Sequence, residues 1–221
     1  MTTIKNIESF VYRYPLSKPV ITSFGVMDNR PMLILKITDN NGMYGWGEVW
    51  CNFPLTGAEH RAKLIDNVFK PLLANFNIIT PEKTYEYLVS KTKILSIQSG
   101  EPGPIAQCIA GIDIAVHDLI GKVENISLWK KFGGNKNIIP CYASGINPTK
   151  PEVTVKDAIK KGYSSFKLKI GFGLKKDLGN IKEIKNILPE KSSLMVDANQ
   201  AWNLHEAIEA CRLLEDLNLC W

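Results

Sequence analysis

The chain of 221 residues lacks the marks of several protein classes. It has only 3 histidines, and its 5 cysteines (Cys51, Cys108, Cys141, Cys211 and Cys220) are never spaced CxxC. An odd, scattered set fits neither a disulfide framework nor a zinc site. It is the pattern of free thiols in a reducing cytoplasm, and the cysteines are expected to serve as small core residues. No run of about 18 apolar residues occurs, so no membrane span is expected. The opening residues, MTTIKNIESF, contain no apolar signal-peptide segment. Neither sign of charge dominates: 27 Lys+Arg against 22 Asp+Glu leave a net +5. Without a stripe of interleaved aromatic and basic residues, that mild excess does not point to nucleic acid. With 16 Gly and 12 Pro the chain is neither collagen-like nor low-complexity.

What is present is a change of texture along the chain. Residues 5–14, 32–38 and 43–50 read as strands, the second setting Leu33, Leu35 and Ile37 on one face against Met32, Ile34 and Lys36 on the other. Asp39-Asn40-Asn41-Gly42 marks a hairpin turn between the last two. From about 56 to 132 the period becomes helical. One helix is expected over 58–73. A second starts at Thr80-Pro81, with Thr80 as N-cap and Pro81 in the first turn. A third covers about 105–121, and a short one 128–132. Gly133-Gly134 then punctuates the chain.

After this point strands are expected to start at about 138, 165, 193 and 219, roughly 27 residues apart, with helices between them. Such a βα repeat builds a parallel sheet, open or closed into a barrel. Gly171-Phe172-Gly173 has no third glycine, so a dinucleotide-binding turn is weakly supported. The expected division is an α+β module over 1–135 and three and a half βα units over 136–221.

Alternate residues of a strand face opposite sides of its sheet. In Phe166-Lys167-Leu168-Lys169-Ile170 the apolar residues share one face and both lysines the other. If helices cover the apolar face, the lysines point into the sheet interior. Burial there lowers a lysine's pKa toward the range of a general base. The plainer reading is an edge strand with solvated lysines. One repeat later, Asp197 and Asn199 fall on one face at the C-terminal end of a strand, where βα proteins gather their sites. A carboxylate there suits a hard cation such as Mg²⁺. The plainer reading is a loop partner or helix cap. Together the two motifs suggest removal of a proton next to a carboxylate, with the charge that develops neutralised by a metal.

At these residues the sequence resembles the enolase superfamily, specifically the mandelate racemase/muconate lactonizing enzyme family. Lys167-Leu168-Lys169 is similar to the family's KxK motif on the second barrel strand, and Asp197-Ala198-Asn199 to its third-strand metal-ligand motif. Gly45-Trp46-Gly47-Glu48, the segment from Ala110 to Lys122 and Phe132-Gly133-Gly134 resemble further family segments in the same order. The resemblance implies an α+β capping domain followed by part of a (β/α) TIM-type barrel. It implies Lys169 as the α-proton base, with Lys167 binding the substrate carboxylate and helping to depress the pKa of Lys169. It further implies Asp197 as a Mg²⁺ ligand and Asn199 as a substrate contact. The substrate would be a small carboxylate such as a sugar acid or hydroxy acid. The reaction would be racemisation or epimerisation, dehydration or cycloisomerisation, carried out in the cytoplasm; oligomeric state is not readable from the sequence, though relatives of this fold are commonly homo-oligomers. Loops near 15–30 and 50–60 would select the substrate, with Phe24, Trp50 and Phe53 as apolar candidates or core residues.

A capping module plus a barrel of about 250 residues needs well over 300. The chain is therefore expected to stop within the barrel, short of the remaining metal ligands and of any second acid or base, and to be inactive in isolation. The other reading is a non-catalytic βα interaction protein. Asp113 and His117, four apart on a helix, resemble a metal pair but lack a third ligand and are expected to pack between helices. His60 is expected to make a surface contact, and His205 is a weaker substrate candidate near a helix start.

Overall fold

A computed structural model describes residues 2–22 and 25–221, so Phe24 lies outside the described residues. The chain divides into two compact units, Met1–Leu16 with Asn29–Asn137, and Ser17–Asp28 with Ile138–Trp221.

A four-stranded sheet, most of whose residues belong to the first unit, has the order β3-β2-β1-β4, from β1 (Thr2–Thr22), β2 (Gly25–Asp39), β3 (Tyr44–Val49) and β4 (Asn77–Ile78). The turn between β2 and β3 is built by Asp39, whose Oδ1 accepts the backbone N–H of Asn41 at 2.9 Å and of Met43 at 2.8 Å. This is the side-chain turn mimicry that makes Asp a turn former. Alternation puts Leu33, Leu35 and Ile37 of β2 wholly inside, opposite Val49, Gly47 and Gly45 of β3.

Helix α1 (Gly57–Leu64) runs through one π turn (Ile65–Phe69) into α2 (Lys70–Leu72), with Ile65 and Phe69 both buried. Helix α3 (Pro81–Ser99) starts as expected: Thr80 Oγ1 accepts the Lys83 N–H at 3.2 Å. Helix α4 (Pro102–Val123) lies against β3 so closely that only glycine fits. A Cβ on Gly45 would stand 2.1 Å from the Ala115 carbonyl oxygen, and one on Gly47 2.1 Å from that of Gly111. A Cβ on Gly111 would meet Val49 Cγ2 at 2.4 Å. By length and composition α4 could cross a membrane, a property that counting apolar runs does not register. Its apolar stripe is already committed: Ile105, Ile109, Ile112, Val116 and Leu119 are buried in the core of this unit. A short helix, α5 (Leu128–Lys131), follows.

The second unit carries the parallel sheet β5-β6-β7, from β5 (Ala143–Ile146), β6 (Ser165–Lys169) and β7 (Ser193–Asp197). Helices α6 (Pro151–Lys160), α7 (Leu174–Ile187) and α8 (Leu204–Leu214) alternate with these strands. Phe166, Leu168 and Ile170 pack with Val155, Ile181 and Ile184 in the apolar core. After α8, Cys220 N donates to Leu194 O at 2.8 Å and Val196 N to Trp221 O at 2.9 Å, so the chain pairs with β7 where another strand was expected.

Two expectations are corrected. The strand expected at 138–143 begins instead at Ala143: Ile138 and Ile139 are 80% and 84% exposed. The adjacent Pro140 has no N–H to give a ladder, which overrides the β-branched pair before it. Of the five cysteines, only Cys51 and Cys108 are core residues; Cys141, Cys211 and Cys220 are exposed.

Candidate active site

β6 is the central strand of its sheet, not an edge, and its two lysines lie on the face opposite the apolar core. Their side chains are 15% (Lys167) and 19% (Lys169) exposed, so the solvated-edge reading does not hold. In the parallel register Lys169 stands opposite Asp197 of β7. Lys169 Nζ donates to Asp197 Oδ2 at 2.6 Å and to Asn199 Oδ1 at 2.9 Å. Lys167 Nζ lies 3.2 Å from the same Oδ2. The other carboxylate oxygen, Oδ1, accepts the Asn199 N–H at 2.9 Å. The structure therefore gathers all four sequence-predicted residues into one cluster at the C-terminal ends of two neighbouring strands.

Burial opposes ionisation of Asp197. The hydrogen bonds from Lys169, the Asn199 backbone and Lys167 outweigh it and bring the carboxyl down to about 2. Burial likewise opposes the charge on Lys167, yet hydrogen bonds and charge attraction from Asp197 and Tyr142 raise its pKa above the ordinary lysine value. Lys167 is thus a fixed cation. Two aromatic rings frame it: its Nζ lies 5.2 Å from the centroid of Tyr142 and 5.7 Å from that of Trp221. The rings themselves meet edge to face at 6.0 Å. Such contacts favour the charged form further. Asp197 stands between the two lysines as a common counter-ion, offsetting the like-charge repulsion that the KxK spacing suggests.

Tyr142 and Trp221 were not foreseen from sequence. Tyr142 precedes a strand whose start was misplaced, and Trp221 is the last residue of the chain. Asp177 was also missed. Buried at the start of α7, it accepts the backbone N–H of Gly171 at 2.9 Å and of Phe172 at 3.2 Å in the turn after Lys169.

The cluster offers Mg²⁺ one ionised oxygen ligand, Asp197, whose Oδ2 already has two ammonium groups within 3.2 Å. Among the described residues no group of three or more His, Cys, Asp or Glu side chains could hold a metal ion. Magnesium demands near-octahedral oxygen coordination. The residues described do not form such a site by themselves.

The remaining candidates lie elsewhere. His117 Nε2 is 3.8 Å from Asp113 Oδ1, and its ring meets Phe132 edge-on at 5.1 Å. His60 pairs with Glu101 at 2.9 Å. His205 is 81% exposed and 3.5 Å from Glu209. Trp50 and Phe53 are about half exposed and are not core residues.

Comparison with known proteins agrees with this architecture. The family model described as mandelate racemase/muconate lactonizing enzyme, N-terminal domain, matches residues 6–133. The chain belongs to this family. A second model, enolase C-terminal domain-like, matches residues 152–221. The crystal structure of a mandelate racemase/muconate lactonizing enzyme from Bordetella bronchiseptica superimposes with a TM-score of 0.90 at 40% identity, covering 100% of this chain and 58% of that one. A racemase from Streptomyces coelicolor, solved with bound magnesium, gives a TM-score of 0.87 at 28% identity, over 99% of this chain and 61% of that one. An N-succinyl-L-Arg/Lys racemase of Bacillus cereus is 28% identical over 99% of this chain and 58% of its own length. The chain thus spans about three-fifths of the relatives it matches. Other curated relatives are named as a cycloisomerase and as a dehydratase.

Proposed function

We propose that the full-length protein removes the α-proton of a small carboxylate substrate, with Lys169 as the base. The observation that carries this reading is the Lys169–Asp197–Lys167 cluster at the ends of β6 and β7. Two of the three substituent positions on Lys169 Nζ are occupied by bonds to Asp197 and Asn199. The third carries either a proton or a lone pair, so one atom can take a proton and hand it back along a fixed direction. Lys167, held as a cation, is suited to anchor the substrate carboxylate and to favour charge that builds on it as the proton leaves. Asn199 adds an amide at the same edge. Mg²⁺ is the proposed cofactor with Asp197 as one ligand; when bound it would stabilise negative charge on the substrate carboxylate. A racemase or epimerase, a dehydratase and a cycloisomerase all share this first step.

The test is α-proton exchange in deuterated water, measured by NMR on the full-length protein. Lys169→Ala is expected to lower exchange by about 10³-fold or more, within the range of general-base catalysis and activation of a poor carbon acid. Lys167→Ala is expected to act mainly through weaker substrate binding. Exchange by Lys169→Ala within tenfold of the wild type would remove Lys169 as the base.

A further inference from the structure

We infer that Asp177 is a positioning residue for the proposed chemistry: it holds the turn that follows Lys169 and so sets the base against Asp197. This rests on Lys169 being the base. The side chain of Asp177 is enclosed, its residue only 2% exposed, and no cation pairs with it among the described residues. Its partners are backbone donors. Oδ2 accepts from Gly171 N at 2.9 Å and Phe172 N at 3.2 Å, while Oδ1 lies 3.3 Å from Phe172 N. A buried carboxylate with no counter-ion is costly, and it persists where neighbouring donors satisfy it. The first turn of α7 adds the favourable helix dipole.

What the carboxylate holds is a short turn with few conformational choices. Gly171 and Gly173 have φ of 92° and 105°, a region open mainly to glycine. The turn is pressed onto the loop after β7: a Cβ on Gly171 would stand 2.6 Å from Ala201 Cβ and 3.0 Å from the Ala198 carbonyl oxygen. Between Gly171 and Lys169, the Ile170 N–H donates to the Asp197 carbonyl at 3.1 Å. The carboxylate of Asp177, the two amides, the Gly171 contact and the Ile170 bond form one connected path. It ends on the loop that carries Asn199 and on the backbone of Asp197. Removing the Asp177 acceptor frees the turn at the point where β6 delivers Lys169. A displacement near 1 Å at a reacting group costs on the order of 10²-fold in rate.

The experiment compares Asp177→Ala, Asp177→Asn and Lys169→Ala in the full-length protein, following substrate α-proton exchange at varied substrate concentration. Asp177→Ala is expected to lower kcat by 10- to 100-fold with KM changed less than threefold. Asp177→Asn keeps an acceptor for both amides and is expected to recover kcat to within about fivefold of wild type. If Asp177→Ala does not fold, Asp177→Ser takes its place, with a kcat loss of at least fivefold expected from its shorter reach. A kcat within twofold of wild type in the folded Ala or Ser variant, or a rise in KM alone, overturns the inference. An Asn variant as impaired as the Ala variant also overturns it. Loss of exchange in Lys169→Ala beside an unaffected Asp177→Ala would reject positioning and keep the base. Retained exchange in Lys169→Ala would reject the base itself.

Discussion

Replacing Asp197 with Asn removes one charge while keeping the shape of the side chain, and the structure sets the size and pH dependence of the result. In the folded protein the carboxyl sits at about 2. An exposed aspartate titrates at about 3.9. The gap of roughly two units corresponds to about 2.5 kcal/mol of stability contributed by the ionised form. Because the folded value is the depressed one, that contribution is complete above the unfolded pKa and is lost as pH falls through the folded value. At pH 7 the Asn variant is therefore expected to unfold about 2.5 kcal/mol more easily, and at pH 3 the difference should be about half as large. Urea denaturation followed by circular dichroism, run on both proteins at both pH values, measures this directly. Equal stability at pH 7 would refute the reasoning, as would a difference that does not shrink on acidification. Equal stability would mean that Lys167 and Lys169 lose as much by being held near the carboxylate as the carboxylate gains from them; a difference that persists on acidification would mean that it does not come from the charge of Asp197.

Other outcomes follow from packing and exposure. Gly47→Ala would place a methyl 2.1 Å from the Gly111 carbonyl oxygen, forcing α4 away from β3. It is expected to cost about 3 kcal/mol or more in denaturant unfolding. Gly179→Ala, in the middle of α7 with open space around it, should be neutral or slightly stabilising. In a thiol titration of the folded protein, Cys141, Cys211 and Cys220 should react at neutral pH. Cys51 and Cys108 should react only after unfolding, since both are buried and burial pushes Cys108 up to about 12; a fast fourth thiol would contradict the packing.

Legibility followed periodicity. The placement of Lys167 and Lys169 opposite Phe166, Leu168 and Ile170 needed only the two-residue repeat of a strand, and the structure shows that placement. Asp39 and Thr80 could be read because their side chains bond to their own neighbourhood. Features that depend on distant parts of the chain were not legible. Ile138-Ile139 carries a strand signal that a following proline defeats. Asp177 sits in a lysine-rich helix start that reads as a solvated face, and only the turn folding back over it shows its purpose. Gly171 was noted in the sequence for lacking a third glycine; its value is a close contact with Ala198 and Ala201. Tyr142 and Trp221, both outside the strands and far apart in sequence, frame Lys167.

The loop after β7 has a bearing on how this sequence can drift. Asn199 and Gln200 are consecutive, with φ of 47° and 62°, on the left-handed side of the backbone map. Asn enters that region readily, whereas Gln gains nothing from it. A search for greater thermal tolerance alone would be drawn to glycine at position 200. The loop would then be free to leave the conformation in which Asn199 meets Lys169. The conformation is thus one that local preference disfavours, and its persistence depends on what the neighbouring lysine requires of it.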